Sequence, residues 1–201
     1  MKYLFLVILF FVNSLVFSQR FSSDYWHNGT LYFKKGDSLD MPIKYDLVNS
    51  VVYTNEDNKL KTWSAGQIKG FKFIDAQQKI ERKFKTIYYK KEDGFSIPIM
   101  FEVIYSGTKI SLFRRDLVYA RRASYNPFLG LSLPLNSKVE NHEFYAVNTK
   151  NQVLLFEPNK KSIISVFAPK EETIKNYIKE NKVKFQTIED IIRIFEFYNS
   201  L

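Results

Sequence analysis

The chain has 201 residues, 45% hydrophobic and 17% aromatic, which is ample for a packed core and inconsistent with a disordered secretory tail. It contains no cysteine, so disulfides, thiolate metal sites, a cysteine nucleophile and a lipidated cysteine are all excluded. Lys and Arg number 30 against 21 Asp and Glu, a formal net charge of +9, and such a surface favours anionic partners.

Residues 1–18 read as a secretory signal peptide: Lys2, an apolar run from Leu4 to Val12, and Val16 and Ser18 at the minus-three and minus-one positions of a cleavage site. The run ends at Asn13 and Ser14, short of the roughly 20 apolar residues that a membrane span requires. The mature chain is expected to start at Gln19 with no transmembrane segment. Loss of Lys2 lowers the net charge by one, to +8. Outside the cytoplasm the available anions are lipid phosphates, lipopolysaccharide, acidic glycans and acidic protein faces rather than nucleic acid. The lysines are scattered along the chain rather than clustered, which favours a plain solvated basic surface.

Residues 19–24 are polar. From Trp26 to about Arg122 short strands alternate with turn signals. A strand over 30–34 is followed by Lys35-Gly36-Asp37, whose glycine can take a positive φ. Met41, Ile43, Tyr45 and Leu47 alternate with polar neighbours, a half-buried strand by its period of two. Pro42 lacks an amide donor and is expected at an edge or bulge. Strands over 51–54 and 60–63 flank the polar loop 55–58. Residues 64–68 read as a single helical turn before a strand over 71–74. Segments 80–89, 95–105 and 109–116, separated by Glu92-Asp93-Gly94 and Ser106-Gly107-Thr108, form an antiparallel meander by loop length. Residues 126–141 carry Pro127, Gly130 and Pro134 and read as a loop excursion. Residues 142–149 and 152–157 make a further hairpin.

The period then changes. Residues 161–167 fit a short helix or a strand equally. Pro169-Lys170-Glu171-Glu172 opens a helix with acids in its first turn and the stripe Ile174, Tyr177, Ile178. Thr187 caps another helix, with Ile188, Ile191, Ile192, Phe195 and Tyr198 on one face. The short connection between these helices resembles a helix-turn-helix, but an αα-hairpin packed on the sheet fits an exported chain better.

The sequence carries no recognisable catalytic motif and no metal or cofactor site. The two histidines, His27 and His142, are far apart, and zinc, calcium, nucleophile-elbow and phosphate-loop patterns are absent. One constellation lies in the meander. Glu102 shares a strand face with Met100 and Ile104, Arg114 with Ile110 and Leu112, and Arg82 with Ile80 and Phe84. An unpaired buried charge is very costly, so Glu102 is expected to meet Arg82 or Arg114. This fits either a polar site in a β cleft, with Glu102 as acid, base or ligand anchor, or a structural ion pair at a rim or sheet edge; the residue types favour the ion pair. Arg114-Arg115 and Arg121-Arg122, beside Tyr119, Tyr125 and Phe128, form the densest basic stretch. They suit an anionic glycan or phosphate, although strand alternation splits each pair across two faces.

The segments Trp26 to Asp37 (WHNGTLYFKKGD), Ile43 to Asp46 (IKYD), Phe101 to Gly107 (FEVIYSG) and Tyr177 to Lys182 (YIKENK), the pair Tyr198 and Asn199, and the exit Phe17-Ser18-Gln19 resemble a functionally uncharacterised family of exported Bacteroidota proteins. The resemblance spans nearly the whole mature chain. It implies a β-rich domain with C-terminal helices and brings no catalytic residue.

Together these features predict an α+β fold: a signal peptide (1–18), a mainly antiparallel β domain (19–157) forming a curved sheet or partly closed barrel, and a C-terminal helical segment (158–201) packed on it. The expected function is a non-enzymatic envelope protein, periplasmic, outer-membrane associated or secreted, that binds a protein partner or an anionic glycan or lipid, with Arg82, Glu102, Arg114, Arg115, Arg121 and Arg122 as candidate binding residues. The alternatives are a carboxylate-dependent envelope hydrolase using Glu102, Asp116 and Asp37, and a structural subunit of an envelope assembly that docks through its helical tail.

Overall fold

The computed structural model describes residues 23, 25–56, 59–90, 94–120, 125, 126, 131, 132, 138–168 and 170–201. The expected signal peptide, Pro169, and the candidates Arg121 and Arg122 lie outside the described residues. The strands are β1 (His27–Phe33), β2 (Ser38–Asp46), β3 (Val51–Glu56), β4 (Lys59–Ser64), β5 (Ile68–Asp75), β6 (Ile80–Lys90), β7 (Ser96–Tyr105), β8 (Ile110–Ala120), β9 (Tyr125–Asn126), β10 (Leu131–Ser132), β11 (Lys138–Asn148) and β12 (Val153–Phe156). Helices α1 (Lys160–Val166), α2 (Glu171–Glu180) and α3 (Ile188–Ser200) follow.

Ten strands form one open antiparallel sheet in the order β12-β11-β8-β7-β6-β5-β1-β2-β3-β4, and β9 pairs with β10 separately. The fold is therefore α+β and dominated by the sheet, with both edges unjoined. The turn after β1 is tied by Phe33 N donating to Asp37 O at 2.8 Å. Gly36 takes φ +101° there, a conformation that disfavours any side chain.

The link from β4 to β5 imposes the curvature. In a flat sheet β4 and β5 would stand four strand spacings apart, about 19 Å. From Ser64 to Ile68 the chain can reach only about 14 Å. The first five strands must therefore roll until β4 approaches β5. Residues 64–68 make a single hydrogen-bonded turn, in which Gln67 N donates to Ser64 O at 3.0 Å. Gln67 Oε1 accepts from Ser64 N at 2.8 Å and Ser64 Oγ at 2.9 Å, closing a tight reversal before β5. Inside the roll Leu31, Ile43, Tyr45, Val52, Ile68, Phe71, Phe73, Phe84 and Met100 are buried together, and Phe71 stacks on Phe84 at 4.5 Å.

Pro42 lies at a local edge, as expected, although β2 itself is an inner strand. It pairs opposite Asn28 of β1, but the β2–β3 ladder covers only Ile43 to Asp46, so Pro42 lies where β2 overhangs β3. The excursion expected over 126–141 includes the β9–β10 pair, and β11 begins at Lys138, extending its ladder with β8 by four residues beyond His142. Residues 160–166, undecided from sequence, are helical: the Asn159 side chain accepts from Ser162 N at 2.8 Å and so caps α1.

The helices cover the other end of the sheet. Ile163, Phe167, Ile174, Ile178, Ile191, Ile194 and Phe195 share a core with Ile110, Leu112, Ala146 and Phe156. Thr187 caps α3, accepting from Asp190 N at 3.3 Å. Near the end of α3, the Asn199 side chain accepts from Lys109 N at 2.8 Å and Ile110 N at 3.3 Å, and donates to Ile110 O at 2.9 Å and Phe195 O at 2.8 Å. The helical tail is thus clamped to the β7–β8 hairpin. No helix among the described residues is long and apolar enough to cross a membrane.

Candidate functional site

The charged constellation expected in the meander assembles, and it is larger than the sequence implied. On β6, β7, β8 and β11 the side chains of Arg82, Glu102, Arg114, Asp116 and His142 meet. The register explains why: Glu102 stands opposite Arg114, and Asp116 opposite His142. Arg82 lies one alternate position from Phe84, which itself faces Glu102. All five follow the two-residue period of their strands onto one face.

Arg82 donates from Nε to Glu102 Oε1 and from Nη2 to Glu102 Oε2, both at 2.7 Å. The same Nη2 reaches Asp116 Oδ2 at 2.7 Å. Arg114 donates to Glu102 Oε2 from Nη2 at 2.7 Å and from Nε at 3.1 Å, and its Nε lies 3.0 Å from Asp116 Oδ1. His142 Nδ1 is 2.9 Å from Asp116 Oδ1. The Arg82 guanidinium also lies over the rings of Phe84 and Phe73, 5.3 and 5.9 Å from their centroids.

Arg82, Glu102 and Asp116 are buried, whereas the side chains of Arg114 and His142 are 23% and 43% exposed. The network therefore has a closed inner end and a solvent-facing end. It divides two apolar cores on the same face: Met100, Phe84 and Val118 pack with the roll, whereas Leu112, Ile104 and Phe144 pack with the helices.

Burial alone would raise the Asp116 pKa. The His142 hydrogen bond and the charges of Arg114 and Arg82 overcome it and hold the carboxyl down to about 2. Burial would lower the Arg82 pKa, but its bonds to Glu102 and the Asp116 charge overcome this and keep it firmly protonated. Two fixed positive charges thus match two fixed negative ones. Each of the four carboxylate oxygens of Glu102 and Asp116 accepts from at least one guanidinium or imidazole nitrogen.

The other sequence candidates fall elsewhere. Arg115 alternates to the opposite face of β8 and lies beside the Tyr145 hydroxyl. Asp37 is exposed in the β1–β2 turn, apart from Glu102 and Asp116. Asp116, read in the sequence only as a catalytic alternative, belongs to the same network; its parity with Arg114 was available. His142 was missed because its partner lies 26 residues away, through a register the sequence does not fix. The second histidine, His27, is buried and stacks on Phe73 at 4.6 Å. Among the described residues no group of three His, Cys, Asp or Glu side chains could hold a metal ion.

No protein-family model, curated protein or solved structure matches the chain.

Proposed function

We propose that this is an exported, non-enzymatic protein of the cell envelope that binds a partner through its surface, the partner being an anionic envelope component or an envelope protein. The observation that carries the reading is that every carboxylate oxygen in the Arg82–Glu102–Arg114–Asp116–His142 network is engaged by an arginine or histidine nitrogen. Its carboxylates are held by fixed cations, so the network serves as a rigid polar strut rather than an acid–base pair, and Arg114 and His142 are its solvent-facing members. The apolar leader and the positive charge of the chain support the location and the sign of the partner. The carboxylate-hydrolase alternative draws no support from this geometry: Glu102 and Asp116 share the same Arg82 nitrogen, and Asp37 stands apart.

The test is fractionation of native cells followed by affinity capture from cross-linked envelopes, with the captured material identified. Association with envelope material, weakened by salt, is the expected result. Protein that remains in the soluble fraction and captures neither glycan, lipid nor a stoichiometric partner at low salt would overturn the reading.

A further inference from the structure

The face of β8 opposite the ion network opens on a cleft of about 570 Å³ between the rolled strands and the start of β7. This lies within the roughly 300–1,000 Å³ of small-molecule sites. Its walls include Val51, Tyr89, Ile97 and Ile99, and Arg115 is among its lining residues, with its side chain hydrogen-bonded to the Tyr145 hydroxyl. Two of the polar groups at the rim are already engaged. Asn49 donates to Asp46 at 2.8 Å, and Ser64 to Gln67 at 2.9 Å. Glu143 stands opposite Arg115 across the β8–β11 ladder, but its carboxylate accepts the Tyr145 hydroxyl at 2.7 Å. Among the described residues Arg115 forms no ion pair, in contrast to Arg82, Arg114 and Arg193.

A cleft with apolar walls and one guanidinium without a carboxylate partner is complementary to a ligand with one negative head and an apolar body. Arginine matches the planar oxygens of carboxylate and phosphate alike. We infer that this cleft binds a single-chain anionic amphiphile, with its carboxylate or phosphate on Arg115 and its chain against Ile97 and Ile99. This deepens, and rests on, the reading of the protein as a binder of an anionic component. The fractionation above reports on that reading, whereas titration of purified protein reports on the cleft alone.

The experiment is calorimetric titration of the purified protein with dodecanoate and with dodecyl phosphate, below their micelle concentrations. Dodecanol, inorganic phosphate and phosphatidylglycerol vesicles form the comparison arms. Both anionic amphiphiles are expected to bind one per chain, dodecanol at least about tenfold more weakly, and inorganic phosphate not at all. Arg115→Gln should weaken dodecanoate binding by about tenfold or more, with partial recovery in Arg115→Lys. Equal binding of dodecanol and dodecanoate overturns the proposal without recourse to any variant. Binding to vesicles alone, no binding, or undiminished binding by a folded Arg115→Gln protein does so as well.

Discussion

Arg82 on β6 reaches over β7 to Asp116 on β8, its Nη2 lying 2.7 Å from Oδ2 although the two strands do not pair. Glu102 on the intervening strand receives the same guanidinium. One arginine therefore ties three consecutive strands through side chains alone, where the backbone ladders tie them only in pairs. The cross-tie lies where the roll meets the helix-covered part of the sheet.

Removing one member leaves its partners buried and unmatched. Glu102→Gln is expected to cost about 3–5 kcal/mol, the range for breaking a buried ion pair, whereas replacing Arg82, Glu102, Arg114 and Asp116 together with apolar side chains of similar volume should cost much less. Urea denaturation of the single and fourfold variants checks this; a fourfold variant no more stable than Glu102→Gln would contradict it.

The network also sets an acid limit. Asp116 is held down to about 2 against an ordinary value of 3.8. A folded-state value below the unfolded one contributes stability above pH 4, and that contribution is lost as pH falls from about 4 to about 2. Its size is about 2 kcal/mol. Asp116→Asn should be less stable at neutral pH and should lose this part of the acid sensitivity, read from urea midpoints at pH 6 and pH 2.5.

Asn199 provides a separate test. Its side chain satisfies the amides of Lys109 and Ile110 and the Ile110 carbonyl. Asn199→Ala leaves these groups unmatched, at a cost of about 1–3 kcal/mol for each one that water cannot reach. Amide exchange at Lys109 and Ile110 should accelerate while the β1–β5 roll remains protected. Gly107→Ala should act at the same place, because a Cβ there would overlap Asn199 and the Ile110 carbonyl.

The tail is part of the core rather than an appendage. Phe195 is fully buried and packs on Phe156 and Phe167, with ring centroids at 6.0 and 5.0 Å. Phe195→Ala should cost about 3–5 kcal/mol. Deletion of residues 187–201 should remove cooperative unfolding of β7, β8, β11 and β12, measured by near-UV circular dichroism through a thermal transition.

Much of this was legible locally. Period-two alternation placed Arg82, Glu102 and Arg114 on one face and separated Arg115 from Arg114, and Thr187 announced the α3 cap. What stayed hidden was nonlocal. Nothing in the run from Trp26 to Asp75 states that β5 pairs with β1 rather than β4, since that choice follows from how the roll buries Phe71 and Phe73. The Asp116–His142 contact depends on a long ladder whose beginning at Lys138 is disguised by the preceding Pro134. The Ile163–Phe167 run is apolar at both helical and strand spacing, so only the Asn159 cap and the neighbouring helices decide it. Ile194 is fully buried between the expected stripe positions Ile191 and Phe195, because α3 is covered on a wider arc than its spacing indicated.

The short passage from β4 to β5 acts as a leash of fixed length. Ala65 and Gly66 belong to it and also form part of the cleft wall beside Arg115. The aperture of that cleft is thereby set by one tight reversal, and the same Ser64–Gln67 bonds that hold the reversal hold the gap. A few residues inserted at Gly66 would leave every ladder intact while letting the roll relax outward. Changes in the length of this link are therefore a direct way to resize the cleft without altering any residue inside it.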